Sequence, residues 1–264
     1  MSSPTPRMIA KKDGAIGWMI FNNPERLNAV SLDMWEAVPS IIAGFEADPE
    51  IRVIVLKGAG DKAFVAGADI SQFGETRSSA AGVQTYEDAT TVAFETIARA
   101  DRPTIAMIDG YCIGGGLGIA LSCDLRFAAD GSTFGIPAAK LGLAYGASGT
   151  RRLVDVVGPA FAKEIFYTAR RFTCDEALAM GLINRVFARE ELEAQTRDTC
   201  AIITENAPLT VLTAKRIVDE VSKAPENFDT RYCDQLIARC FASEDYAEGR
   251  AAFMEKRKPR FKGK

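Results

Sequence analysis

Two glycine-bearing stretches hold the residues best suited to chemistry. Segment 62–70, KAFVAGADI, places small residues at Ala66, Gly67 and Ala68, so a ligand can approach the backbone closely and take peptide N–H groups as donors. Segment 110–118, GYCIGGGLG, sets three glycines at the expected start of a helix, where unpaired N–H groups and the positive end of the helix dipole face outward. A glycine run after a strand can be only a tight turn, and GGGLG lacks the spacing of a dinucleotide-binding loop. Taken together, the two loops can build an oxyanion hole, a pair of fixed donors around an oxygen that gains negative charge.

The groups able to move protons around such a hole are restricted, because the chain has no histidine. Serine–histidine and cysteine–histidine nucleophiles, His-ligated zinc and imidazole bases are therefore excluded, and no metal site is expected. Acid–base work falls to carboxylates, tyrosine, lysine, cysteine or water. The six cysteines show no C-x-x-C spacing, which reads as reduced thiols in a cytoplasmic protein without disulfides. Cys112 lies beside the glycines but has no adjacent lysine to generate a thiolate, so it reads as a small buried hydrophobe.

Elements that position these loops follow from the hydrophobic pattern. Runs rich in β-branched residues at 15–21 and 52–57, and the similar-looking 104–108 and 125–128, read as strands, and 31–47, 86–100 and 115–122 as helices, which gives an α/β layered core. Beyond about residue 159 the strand signals thin out. Thr173 and Glu176 form a capping box that opens a helix reaching Met180, where Gly181 stops it. Further helices are expected at 189–206, 209–222, 229–242 and 244–256. The reading is an α/β core over 1–205 and a helical region over 206–264. With 264 residues, 47% hydrophobic and 25% charged and a net charge of −3, the chain is an ordinary folded protein without a field for polyanions. No apolar run approaches a membrane span, and residues 1–7 lack the apolar stretch of a secretion signal.

NNPERLNA (22–29), AFVAGADI (63–70), DGYCIGGG (109–116) and the capped helix running into GLIN (181–184) together resemble the crotonase superfamily of enoyl-CoA hydratases and isomerases. The likeness spans nearly the whole chain. It implies a spiral of β-β-α turns with a helical C-terminal trimerisation region, a homotrimer or dimer of trimers, and an acyl-CoA thioester as substrate, with coenzyme A as part of that substrate and no separate cofactor. By position, Ala68 and Gly115 supply the two backbone donors to the thioester oxygen. Ala66, Gly67, Asp69 and Ile70 border the CoA channel, with Arg26, Ala29, Gly114 and Pro137 as further contacts.

Family hydratases use two glutamates, one two residues after the triple glycine and one after the proline of a Phe-Gly-x-Pro segment. Here those positions hold Gly118 and Ala138, and no Asp or Glu occurs between Gly131 and Val154. Asp69 is expected to order its loop and Asp124 to pin the following strand; Glu75 and Glu87 are candidates to reach the site from elsewhere. Decarboxylation of a malonyl- or methylmalonyl-type thioester fits this gap, because loss of CO₂ yields the enolate without a base. Segments 141–149 and 243–261 resemble the methylmalonyl-CoA decarboxylase branch, in which a tyrosine matching Tyr145 faces the reacting carboxylate; that branch carries histidine where this chain has Ala68. Tyr145 is the polar catalytic candidate, against a packed ring whose OH bonds backbone. The alternatives are hydratase or isomerase activity, thioester hydrolysis, or CoA binding without turnover. Lys256 in the basic tail is placed by the resemblance near the CoA phosphates, with solvated surface charge as the other reading. Nucleic acid is not an expected partner, since the patch lacks regularly spaced stacking aromatics.

Overall fold

The computed structural model describes residues 3–69 and 80–264. Strands β1 (Met8–Asp13) and β2 (Ile16–Phe21) form an antiparallel hairpin that opens a six-stranded sheet. The remaining members, β3 (Val53–Gly58), β5 (Thr104–Ile108), β7 (Leu125–Ala129) and β9 (Arg185–Phe187), add in parallel, in the order β1-β2-β3-β5-β7-β9. A second parallel sheet contains β4 (Ala63–Val65), β6 (Tyr111–Ile113) and β8 (Thr133–Gly135). After the opening hairpin and the helix Leu32–Glu46, the pairs β3-β4, β5-β6 and β7-β8 each lay one strand in the large sheet and the next in the small sheet, followed by a helix. This is the expected spiral of β-β-α turns.

Nine α-helices occur among the described residues: α1 (Leu32–Glu46), α2 (Ala80–Ala98), α3 (Gly115–Ser122), α4 (Ala147–Thr168), α5 (Cys174–Ala179), α6 (Leu192–Thr204), α7 (Pro208–Val221), α8 (Thr230–Phe241) and α9 (Glu244–Met254). The large sheet is buried on both faces, which is why its central strands read as unbroken apolar runs. Alternation then sorts each strand: Ile54, Leu56, Ala106 and Ile108 join the main core with Trp35, Phe45 and Phe64, while Val53, Val55, Ile105 and Met107 meet Leu192 and Cys200 of α6 on the opposite face.

The helical region from α7 onward is tied to the core by polar contacts. Lys215 Nζ donates to Asp124 at 2.9 Å and to the Arg102 carbonyl at 3.2 Å, Arg216 pairs with Asp101, and Arg52 donates to the Phe261 carbonyl at 3.3 Å. The capping box is present, with Thr173 accepting from the Glu176 N–H and Glu176 accepting from the Thr173 N–H. All six cysteines are free thiols. No helix among the described residues is long and apolar enough to cross a membrane.

Candidate active site

The first loop is shaped by a strip of backbone at 27–30. Ala66 N–H donates to the Leu27 carbonyl at 3.0 Å, Val30 N–H to the Gly67 carbonyl at 2.8 Å, and Asp69 N–H to the Val30 carbonyl at 2.9 Å. Ala68 forms a parallel bridge with Val30, so its own N–H points away from the strip, and it has no hydrogen-bond partner among the described residues. The sequence suggested donors throughout 66–68; the Ala66 amide is consumed within the loop.

The second donor comes from the start of α3. Gly114 stands at the N-cap with φ 54° and donates its N–H to the Gly135 carbonyl at 2.8 Å, which leaves the Gly115 N–H as the first outward-facing amide of the helix. Two close approaches aim it. A Cβ on Gly116 would lie 2.1 Å from the Val65 carbonyl oxygen, so glycine alone allows α3 to sit against β4. A Cβ on Gly115 would lie 3.7 Å from the Ala68 nitrogen and 3.3 Å from Trp35 Cζ2. The two amides therefore flank one small space, with the Trp35 indole as a wall. That indole is held by its own N–H, which donates to the Tyr86 hydroxyl at 2.7 Å, and by edge-on packing with Phe94 at 5.4 Å.

Most of the expected CoA-border residues gather around these donors. Gly67, Gly114 and Pro137 converge, since a Cβ on Gly114 would lie 3.9 Å from Gly67 Cα and 4.0 Å from Pro137 Cδ. Arg26 forms a 3.7 Å ion pair with the buried Asp69 carboxylate, which agrees with a loop-ordering role for that aspartate. Ala29 bonds within its own segment, donating its N–H to the Arg26 carbonyl at 3.0 Å and accepting from Asn23 Nδ2 at its carbonyl at 2.9 Å. Ile70 lies outside the described residues. Lys256 is exposed at the end of α9, and no hydrogen bond or ion pair joins it to this group among the described residues.

Tyr145 is packed edge-on against Phe166 at 5.3 Å and lines a small cavity with Phe94, Gly118, Leu121, Ile136 and Arg152. Its hydroxyl has no partner among the described residues, so the reading in which backbone satisfies it is not what is observed. Burial pushes the phenol up to about 12, which keeps it neutral and a donor at ordinary pH.

The carboxylate gap has a physical counterpart. A Cβ on Gly118 would lie 2.5 Å from Phe94 Cζ, so the phenylalanine ring fills the space that a side chain at 118 would enter. Ala138 is buried in the short 3-10 turn at Pro137–Leu141. Glu87 is exposed on α2 next to the buried Tyr86 and faces away from the donors, while Glu75 lies outside the described residues. Asp124 is occupied by the Thr104 N–H at 2.7 Å and by Lys215; it anchors the start of β5 rather than the strand that follows it. Cys112 is fully buried and its thiol is pushed well above its ordinary range by desolvation, as a small hydrophobe would be. Among the described residues no cluster of His, Cys, Asp or Glu could hold a metal ion.

A two-sheet β-β-α spiral with paired main-chain donors at a helix start defines a class of thioester-handling enzyme. The chain belongs to the crotonase superfamily, the enoyl-CoA hydratase/isomerase family, whose profile matches residues 11–264. It is 34% identical over 251 residues to the short-chain-enoyl-CoA hydratase of Clostridium acetobutylicum, with 95% of each chain covered. It is 32% identical over 257 residues to the carnitinyl-CoA dehydratase of Escherichia coli K12, covering 96% of this chain and 97% of that one. A crystal structure described as an enoyl-CoA hydratase/carnithine racemase from Magnetospirillum magneticum superposes with a TM-score of 0.94 at 34% identity, covering 99% and 97% of the two chains.

Three site residues escaped the sequence reading. Asn28, Trp35 and Phe94 shape the donor pair and its cavity, but each arrives by tertiary packing from a distant element. The one sequence signal was Asn28 itself, a polar residue within the NNPERLNA motif that the structure buries.

Proposed function

We propose that this protein is an acyl-CoA lyase or isomerase that works through a thioester enolate, with hydration or dehydration of an enoyl-CoA as its first reading. The carrying observation is the closeness of the Ala68 nitrogen to Gly115, 3.7 Å from a Cβ built there, beside Trp35. Preorganised donors placed where charge develops are commonly the largest catalytic term, and loss of one costs roughly 2.7–4 kcal/mol in a well-studied hole. The names of the Clostridium and Escherichia relatives support hydro-lyase chemistry and not decarboxylation. This reverses the order expected from the missing glutamates alone. In this reading Arg26, Ala29, Ala66, Gly67, Asp69, Gly114 and Pro137 border the CoA, Lys256 meets its phosphates, and Tyr145 gives its proton to the α-carbon while its phenolate oxygen takes the proton that the added water loses.

One observation favours decarboxylation as the second reading. Phe94 occupies the space beside Gly118, and the buried Asp69 carboxylate next to Ala68 is paired with Arg26. A small cavity lined by Phe94, Tyr145 and Arg152 suits loss of CO₂ in this reading, with Tyr145 then protonating the enolate.

A mass-spectrometric assay of the purified protein on crotonyl-CoA and methylmalonyl-CoA in parallel, with boiled controls, separates the two. Addition of water to crotonyl-CoA supports the first reading. Release of CO₂ from methylmalonyl-CoA with crotonyl-CoA untouched replaces it with the second.

A further inference from the structure

We propose that Asn28 is a positioning residue of the oxyanion hole, setting the aim of the Ala68 N–H from outside the substrate space. This rests on the reading of Ala68 and Gly115 as thioester donors. Asn28 is 1% exposed, and it follows Leu27 in a pair of consecutive left-handed residues, with φ 57° and 53°. Among residues other than glycine, asparagine tolerates that conformation well.

Its amide is fully used. Oδ1 accepts from the Asn23 N–H at 3.0 Å, while Nδ2 donates to the Ala59 carbonyl at 2.9 Å and the Ala63 carbonyl at 2.7 Å. One side chain thus joins its own loop, the turn after β3 and the first residue of β4. Gly58 makes room for the junction: a Cβ there would lie 2.2 Å from the Ala63 oxygen and 2.5 Å from Asn28 Nδ2.

The consequence reaches Ala68 by two routes. Residues on either side of Asn28, Leu27 and Val30, make the backbone bonds that hold Ala66, Gly67 and Asp69. The Ala63 carbonyl fixes the start of the strand from which the same loop departs. The template and the loop laid on it are therefore locked to each other by one amide. The opposing donor has a tie of its own outside β4, the Gly114 N–H to the Gly135 carbonyl at 2.8 Å, besides the Gly116–Val65 approach. Loss of the Asn28 amide should turn the Ala68 N–H away from a Gly115 N–H that stays in place.

The test uses acetoacetyl-CoA, which ionises to an enolate with its own ultraviolet absorbance, and free CoA, which has no thioester oxygen. Asn28→Asp keeps the shape and the Oδ1 acceptor but sets a carboxylate against two carbonyls. Asn28→Gly keeps the left-handed backbone and removes every side-chain bond. Asn28→Ser retains one short donor and carries the comparison if the other two fail to fold. Each variant is checked by circular dichroism and thermal melting. The wild type is expected to raise the bound enolate fraction; Asp and Gly variants should cut that enrichment about tenfold or more, as misplacement of a reacting group does, with CoA affinity held within about twofold and Ser intermediate. Folded variants that enrich the enolate as the wild type does overturn the proposal, even if they melt earlier. A wild type that binds acetoacetyl-CoA without enriching the enolate overturns the oxyanion-hole reading instead, and the two failures are distinct.

Discussion

Tyr145 and Phe94 line one small cavity at Gly118. Tyr145→Phe should lower turnover by roughly 10²-fold or more, the usual contribution of a positioned proton donor, while CoA affinity stays unchanged. Equal turnover removes Tyr145 from the mechanism. Because its folded pKa is raised to about 12 from the ordinary 10, the neutral phenol is favoured below the ordinary value, and that contribution is lost as pH rises through about 12. Activity that depends on this proton should therefore show no Tyr145 break across the neutral range, and an alkaline fall that Tyr145→Phe abolishes. The absent glutamates were legible in the sequence because Gly118 and Ala138 are fixed by motif spacing. That Phe94 fills one of the two gaps was not legible, since α2 is separated from α3 by two strands and meets it only in the folded core.

At the scale of elements, glycine decides how closely α3 can approach the small sheet. Gly116→Ala should destabilise the fold by about 1–3 kcal/mol or more, because the added carbon meets a backbone carbonyl that cannot rotate away. Gly118→Ala should cost less, since it meets the far end of the Phe94 ring. Paired denaturation curves check the order. The C-terminal tail offers a pH readout. Arg257 and the Arg260 N–H hold Glu248 down to about 2, so tail docking on α9 is fully favoured above the ordinary carboxylate value and lost as pH falls through about 2. Hydrogen exchange at the Arg260 amide should report that loss, and Glu248→Gln should erase its pH dependence. Long buried strands were visible as apolar runs, but β4, β6 and β8 are only three residues each and fell below that signal. Helix α4 was missed for a different reason: Gly158, at φ 74°, and Pro159 break it into two helical halves that meet at a kink.

Over the whole molecule, the helical end displays apolar side chains that the single chain leaves in water. Phe253 is 83% exposed and Met254 80%, with Phe241, Val218 and Val221 also open. Such a surface marks an interaction site, and a second copy of the chain is the occupant that the family resemblance implies. Sedimentation velocity should show a trimer or a dimer of trimers, which Phe253→Glu should weaken; a stable monomer would overturn the assembly. This end of the chain was readable as successive amphipathic helices, while the partner for their outer faces lies beyond one chain's pattern.

The two donors also bear on how the protein can change over generations. Every coded residue except proline carries the same N–H, so substitution at Ala68 or Gly115 can crowd the anion site but only proline strikes out its reagent. In the proposed reading, side chains that decide what becomes of the enolate have no such protection. A gene of this kind can rewrite the outcome of a reaction while inheriting its first step intact.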